Sequence, residues 1–347
     1  MAARAPSIRL FGTRTASPNA WMSGGELAIV KPRSVDPKRA RTRKLAELSR
    51  KVSRGQFARP VDAGARVRDF IDSLPDVLAA ADFRELARRI ARAHREKRTV
   101  LLMSGAHSLK VGLGPLISAL MRDGIVTAIA TNGATIIHDF ELAYAGRTSE
   151  DVGAGLSDGS FGMAEETGAF LNRAARIAAT ESLGLGEAVG REMIAKKLRY
   201  RESSIFATAH RIGIPATVHV AIGADIIHMH PDADGAAIGQ ASLADFHRLA
   251  GVVATLERGV VLNVGSAVVM PEVFLKALNL ARNVGNKVAD FCAADMDFIR
   301  QYRARLNVVE RPTAGGGRGI MLTGHHEIMF PLLAAAVREE IARGRRK

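Results

Sequence analysis

Thr99-Val100-Leu101-Leu102-Met103-Ser104-Gly105-Ala106-His107 is a short apolar run that stops in small and polar residues. A run of this length, bounded by glycine, reads as a buried strand that ends in a turn. The same pattern recurs along the chain. Residues 126–130 lead into Thr131-Asn132-Gly133-Ala134, residues 216–222 into Gly223-Ala224-Asp225, and residues 259–263 into Val264-Gly265-Ser266-Ala267. Residues 288–292 lead into Ala293-Ala294-Asp295, and residues 320–322 into Thr323-Gly324-His325-His326.

Helical patterns fill the intervals, at residues 113–122, 165–183, 185–198, 203–211, 242–257, 271–282 and 328–343. Ser242 and Asp245 form a capping-box-like pair, and Pro271 suits a first helical turn. Upstream, Val67, Phe70, Ile71 and Leu74 lie on one helical face; Pro75 interrupts it, and Phe83, Leu86, Ile90 and Ala93 resume it. Strands alternating with helices predict an α/β fold, a Rossmann-like parallel sheet with helices on both faces.

Composition agrees. The 347 residues are 47% hydrophobic but only 5% aromatic, so the core is built from Ala, Val, Leu and Ile. The net charge of +14 is concentrated at residues 31–59, where eleven Lys and Arg are opposed by Asp36 and Glu47. Residues 1–60 are therefore expected to be a basic, partly disordered N-terminal arm, and residues 61–347 the domain. The arm's charges are not interleaved with a series of base-stacking aromatics, so nucleic acid is not an expected partner. Arg343, Arg345, Arg346 and Lys347 add charge at the other end. Cys292, the sole cysteine, permits no internal disulfide and fits inert core in a reducing, cytoplasmic setting. Neither an apolar leader nor a membrane span is expected.

In open α/β sheets ligands bind at the carboxyl ends of strands, where the small and polar residues fall here. A nucleotide is the expected ligand, although Gly112-Leu113-Gly114-Pro115 does not make the G-x-G-x-x-G fingerprint. Ser104, His107 and Ser108 fit either a phosphate or ribose contact or a capped turn. Thr131-Asn132-Gly133 leads to His138, Asp139 and Glu141, which form either a ligand edge or a solvated loop. His228 and His230 alternate as on a strand, within a cluster running from Asp225 to Asp234 that could structure a loop, bind a ligand or hold a metal. Gly315-Gly316-Gly317-Arg318-Gly319 is a flexible loop or a phosphate cradle. No Ser-His-Asp or Cys-His order is present.

Ser104-Gly105-Ala106-His107-Ser108, Thr131-Asn132-Gly133, Gly213-Ile214-Pro215, Gly223-Ala224-Asp225-Ile226-Ile227-His228, Gly265-Ser266-Ala267-Val268-Val269 and His325-His326-Glu327-Ile328-Met329-Phe330-Pro331 occur in this order. Over residues 63–343 the series resembles deoxyhypusine synthase. The resemblance implies an NAD-binding fold, a homotetramer, and polyamine chemistry in which an aminobutyl group is transferred to a lysine. It implies NAD contacts from Ser104, His107, Ser108, Thr131, Asn132, Gly133, Gly265, Ser266, Asp295 and His325. It implies substrate contacts from Asp225 and Asp139. The family's imine-forming lysine, in a Trp-Gly-Lys motif before the last strand, has no counterpart: no lysine lies between Lys287 and Lys347, and the only tryptophan is Trp21. Arg311 and Arg318 stay protonated and cannot replace it.

The expectation is thus an NAD-binding protein with altered chemistry, oxidation or group transfer on a small amine or polar substrate. His228, His230, His325 and His326 are the candidate bases, with Glu327 beside the last pair. The alternatives are a metal-dependent hydrolase using these His and Asp clusters, and a non-catalytic nucleotide-binding assembly protein.

Overall fold

Six short runs of Val, Leu, Ile, Met and Ala, too short for helices and flanked by glycine, become six parallel strands in the computed structural model. They are β1 (Val100–Ser104), β2 (Ala128–Asn132), β3 (Ala216–His219), β4 (Val260–Val264), β5 (Cys292–Asp297) and β6 (Arg318–Thr323). The structure describes residues 32–344. Residues 1–31 of the expected arm, Trp21 among them, and Arg345, Arg346 and Lys347 lie outside the described residues. The chain divides into one unit ending at Lys51 and another beginning at Val52. The described part of the first holds two single-turn segments, Pro37–Arg39 and Leu45–Glu47, and every residue in it is exposed.

In the second unit the strand order is β3-β2-β1-β4-β5-β6. Side chains alternate across the sheet, as a two-residue period demands. Val100 and Leu102 pack into one buried cluster, Leu101 and Met103 into the other. The first cluster includes residues of helices Leu78–Arg95, Gly114–Arg122, Leu185–Ala195 and His326–Gly344. The second includes residues of Gly235–Ala254 and Val269–Asn283. The helix–sheet–helix layering matches the sequence reading.

Two elements differ from that reading, each because of a partner distant in sequence. The fifth strand is Cys292–Asp297 rather than residues 288–292, so Asp295 and Asp297 lie within the sheet. Asp295 is opposite Asn263 in the β4–β5 register, and the Asn263 amide donates to its Oδ1 at 2.7 Å. The second difference is the helix read as residues 242–257. It spans Gly235–Ala254 and is capped by Asp234, which leaves Ser242 and Asp245 inside it. Their polar atoms face the free side of β3 instead. Asp245 Oδ2 accepts from Val218 N at 2.8 Å and Gly186 N at 2.9 Å, and Ser242 Oγ accepts from Val220 N at 3.1 Å.

Burial pushes the Asp245 carboxyl up to about 7, although the Gly186 and Val218 N–H groups pull it down. The folded state therefore holds this proton more tightly than the unfolded chain does. Its contribution to stability falls as pH rises from about 4 to about 7, by up to roughly 4 kcal/mol. Asp245→Asn has no such proton to lose. The melting temperature of the variant relative to wild type is expected to be higher at pH 7.5 than at pH 4.5; an unchanged difference would refute this account.

Candidate functional site

The strand order reverses between β1 and β4, which places a crevice beyond their carboxyl ends. The two turns there meet backbone to backbone. Gly105 N donates to Val264 O at 3.2 Å, and a Cβ on Gly105 would lie 2.3 Å from the Gly265 carbonyl oxygen. Gly265 has a positive φ of 65°, and a Cβ there would lie 2.8 Å from the His326 ring. Only glycine permits this approach.

The serines expected to touch a cofactor hold these turns. Ser104 Oγ and Ser108 Oγ are 2.6 Å apart, so one donates to the other and the second donates to Gly105 O, which lies 2.9 Å from Ser104 Oγ and 3.1 Å from Ser108 Oγ. Ser266 Oγ accepts from Met270 N. Burial pushes Asp295 up to about 6; its bond from Asn263 opposes this and the neighbouring Asp297 adds to it. Ser104, Ser108, Ser266 and Asp295 are all buried beneath the crevice.

Rings form the surface above them. Phe298, 47% exposed, lies nearly parallel to His325, with centroids 6.4 Å apart and 9° between the planes. His107 lies 5.8 Å from Phe298 and 5.3 Å from His326. His326 is fully buried, and its Nε2 donates to Met296 O at 3.1 Å, so its Nδ1 is an acceptor without a partner. Glu327 is half-exposed beside His325. Sequence reading passed over Phe298; a ring directly after a strand, in a chain poor in aromatics, is the signal that marks it.

A second locus lies beyond β2 and β3. Asn132 Oδ1 accepts from Thr135 N and Oγ, capping helix Gly133–Ala145. Thr131 Oγ donates to the Asn132 carbonyl. A Cβ on Gly133 would lie 2.1 Å from Asp225 Oδ2, so glycine is what lets that carboxylate rest on the helix start. Asp225 is 7% exposed. Burial raises its pKa above the ordinary carboxylate value, and the Ala221 N–H, His228 and the Ala134 N–H oppose the rise. Asp225 forms one wall of a cavity of about 200 Å³ that is also lined by Lys110, His138, Glu141, Glu150 and Phe161.

Thr148 orders the cavity's imidazole. Its hydroxyl donates to Glu141 Oε2, and it lies 2.6 Å from His138 Nδ1. A hydroxyl has one proton to give, so His138 Nδ1–H donates to Thr148 and Nε2 is the basic nitrogen. Burial raises the Glu141 pKa, but hydrogen bonds from His138 and Thr148 outweigh it and hold the carboxyl below its ordinary value.

Several expected residues are placed elsewhere. Asp139 is 1% exposed and does not line the cavity; its carboxylate accepts from Ser204 Oγ, Ile205 N and Phe206 N. His228 lies within a single turn, Ile226–Met229, and His230 directly follows it, rather than the two alternating on a strand. His228 Nδ1 accepts from Gly223 N, and His230 Nε2 lies 2.8 Å from Gly162 O. Neither joins His325, His326 and Glu327. Among the described residues no three His, Cys, Asp or Glu side chains converge as metal ligands would. The Gly315–Gly317 stretch precedes β6 and so lies at the opposite edge of the sheet from the strands' carboxyl ends. Cys292 is buried in β5, and burial pushes its thiol up to about 12, as inert core requires. No helix among the described residues is long and apolar enough to cross a membrane.

No family model matches the chain, and no curated protein matches it. Among solved structures it is similar to AgrE in a ternary complex with ornithine and NAD+, at 15% identity and a TM-score of 0.49, covering 77% of this chain and 34% of that one. It is similar to a conserved putative LOR/SDH protein from Methanococcus maripaludis S2, at 14% identity and a TM-score of 0.48, covering 78% and 71%. It is also similar to a putative deoxyhypusine synthase from Entamoeba histolytica, at 13% identity and a TM-score of 0.46, covering 80% and 95%. The chain spans about a third of the length of AgrE. Likeness at this level assigns no activity.

Proposed function

We propose that this chain is an NAD-binding α/β enzyme that carries out oxidation or group transfer on a small amine or polar substrate. The observation that carries the reading is the strand order β3-β2-β1-β4-β5-β6, whose reversal between β1 and β4 is the arrangement at which open α/β sheets take dinucleotides. The flat faces of Phe298 and His325 at its rim suit a nucleotide ring. NAD, when bound, supplies a hydride acceptor.

The protein's own groups do the rest. Asp225 holds a positively charged part of the substrate. His138 Nε2 takes a proton, while Thr148 and Glu141 fix the ring and stabilise its charged form. This moves the base from His228, His230, His325 or His326 to His138, the histidine that shares a cavity with Asp225. The homotetramer implied by the resemblance and the cytoplasmic setting expected from the single cysteine belong to the same proposal.

Calorimetry with NAD tests it. Micromolar binding is expected, and Phe298→Ala is expected to weaken it by about tenfold or more, the worth of one stacked ring. Absence of NAD binding by the intact chain would end the proposal.

A further inference from the structure

The cavity beneath Asp225 contains a group that the proposed chemistry leaves unused. Lys110, exposed, lines the cavity together with Asp225 and Glu150. The other charged groups of this lining are engaged: His138 and Glu141 with Thr148, Glu150 Oε2 by Gly162 N, and Asp225 Oδ2 by Ala221 N. Lys110 makes no side-chain hydrogen bond or ion pair among the described residues. Glu150 retains a second carboxylate oxygen, and Asp225, held by the Ala221 and Ala134 N–H groups, keeps lone pairs for a further donor. The lining therefore offers one cationic donor and two anionic acceptors, together with the apolar side chains of Ile137, Val152 and Phe161.

We infer that the cavity takes a zwitterion of the α-amino-acid class, its carboxylate on Lys110 and its ammonium on Asp225 and Glu150. This rests on reading the cavity as the substrate site. Volume supports it. About 200 Å³ lies below the roughly 300–1,000 Å³ of pockets that take drug-sized ligands, which suits an amino acid better than a dinucleotide. Charge decides between an amino acid and the polyamine implied by the motif resemblance. A diamine can set its two ammonium groups on Asp225 and Glu150, but it leaves the Lys110 ammonium without a partner and adds positive charge to the same lining. An amino acid satisfies both signs of charge in the lining.

The test is calorimetry on the full chain with the twenty common L-amino acids and with 1,4-diaminobutane, each with and without NAD. At least one amino acid is expected to bind about tenfold or more tightly than the diamine. Lys110→Gln is expected to weaken that binding by about tenfold, and Lys110→Glu to reverse the preference towards the diamine. Lys110 is exposed, so circular dichroism of both variants should match wild type. Tighter binding of the diamine by wild type, no binding of any amino acid, or unchanged amino-acid binding by Lys110→Gln would each overturn the inference. Failure here alongside intact NAD binding removes only the substrate class; amino-acid binding without NAD binding ends the NAD-dependent reading and leaves the ligand class of the cavity standing.

Discussion

Asp139→Ala is expected to destabilise the fold by about 3–5 kcal/mol, since it strands three buried neutral donors that each cost about 1–3 kcal/mol when unpaired and that relax in part. The carboxylate accepts from Ser204 Oγ, Ile205 N and Phe206 N, at the start of helix Ile205–Ile212. Ser204 in turn accepts from Ala207 N at 2.9 Å, so Asp139 supports the residue that caps that helix. Truncation leaves three buried donors facing a void that cannot readily admit water. Asp139→Asn keeps an acceptor and is expected to lose less than half as much. Urea unfolding of the two variants checks this; equal losses would mean that the side chain's volume matters rather than its bonds. Burial pushes the Asp139 carboxyl up to about 6, against the pull of its three donors. A group this deeply engaged serves the scaffold, which separates it from Asp225 one cavity away.

Gly105→Ala is expected to cost about 3 kcal/mol and lower the melting temperature by about 5–10 °C. The added methyl group meets the Gly265 carbonyl oxygen at 2.3 Å, and that oxygen belongs to backbone with nowhere to go. The turns after β1 and β4 must separate, which also disturbs the floor of the proposed dinucleotide crevice. Thermal melts and NAD titration of the same variant should therefore both change. A variant with wild-type stability would show that the two turns are not in the contact described.

The sheet was legible because each strand carries its own signal, a short apolar run and a glycine-bearing end. β1 and β4 follow that rule closely and lie at the centre of the sheet, where both faces are buried. β5 breaks it: Asp295 and Asp297 look like turn residues until Asn263, across the register, supplies a donor. Ser242 and Asp245 look like a cap for the same reason, since their acceptor role depends on the free side of β3.

The site was legible to a lesser degree. Asp225 and Gly133 were both singled out, and the structure brings them into contact. Their shared cavity depends on three loops meeting, so Lys110 and Glu150 carried no local mark. His138 stood out as polar, but only Thr148, ten residues on, distinguishes its two nitrogens. Phe298 went unnoticed because one aromatic residue has no periodicity.

Asp245 and Ser242 have one more effect. An outermost strand normally displays a row of unpaired N–H groups that another chain can use as a template for aggregation. The Val218 N–H group on β3 and the Val220 N–H group just beyond it are already taken by side chains of helix Gly235–Ala254. A second molecule cannot add a strand there until that whole helix has lifted away, so this side of the sheet is protected from intermolecular growth for as long as the native helix is docked.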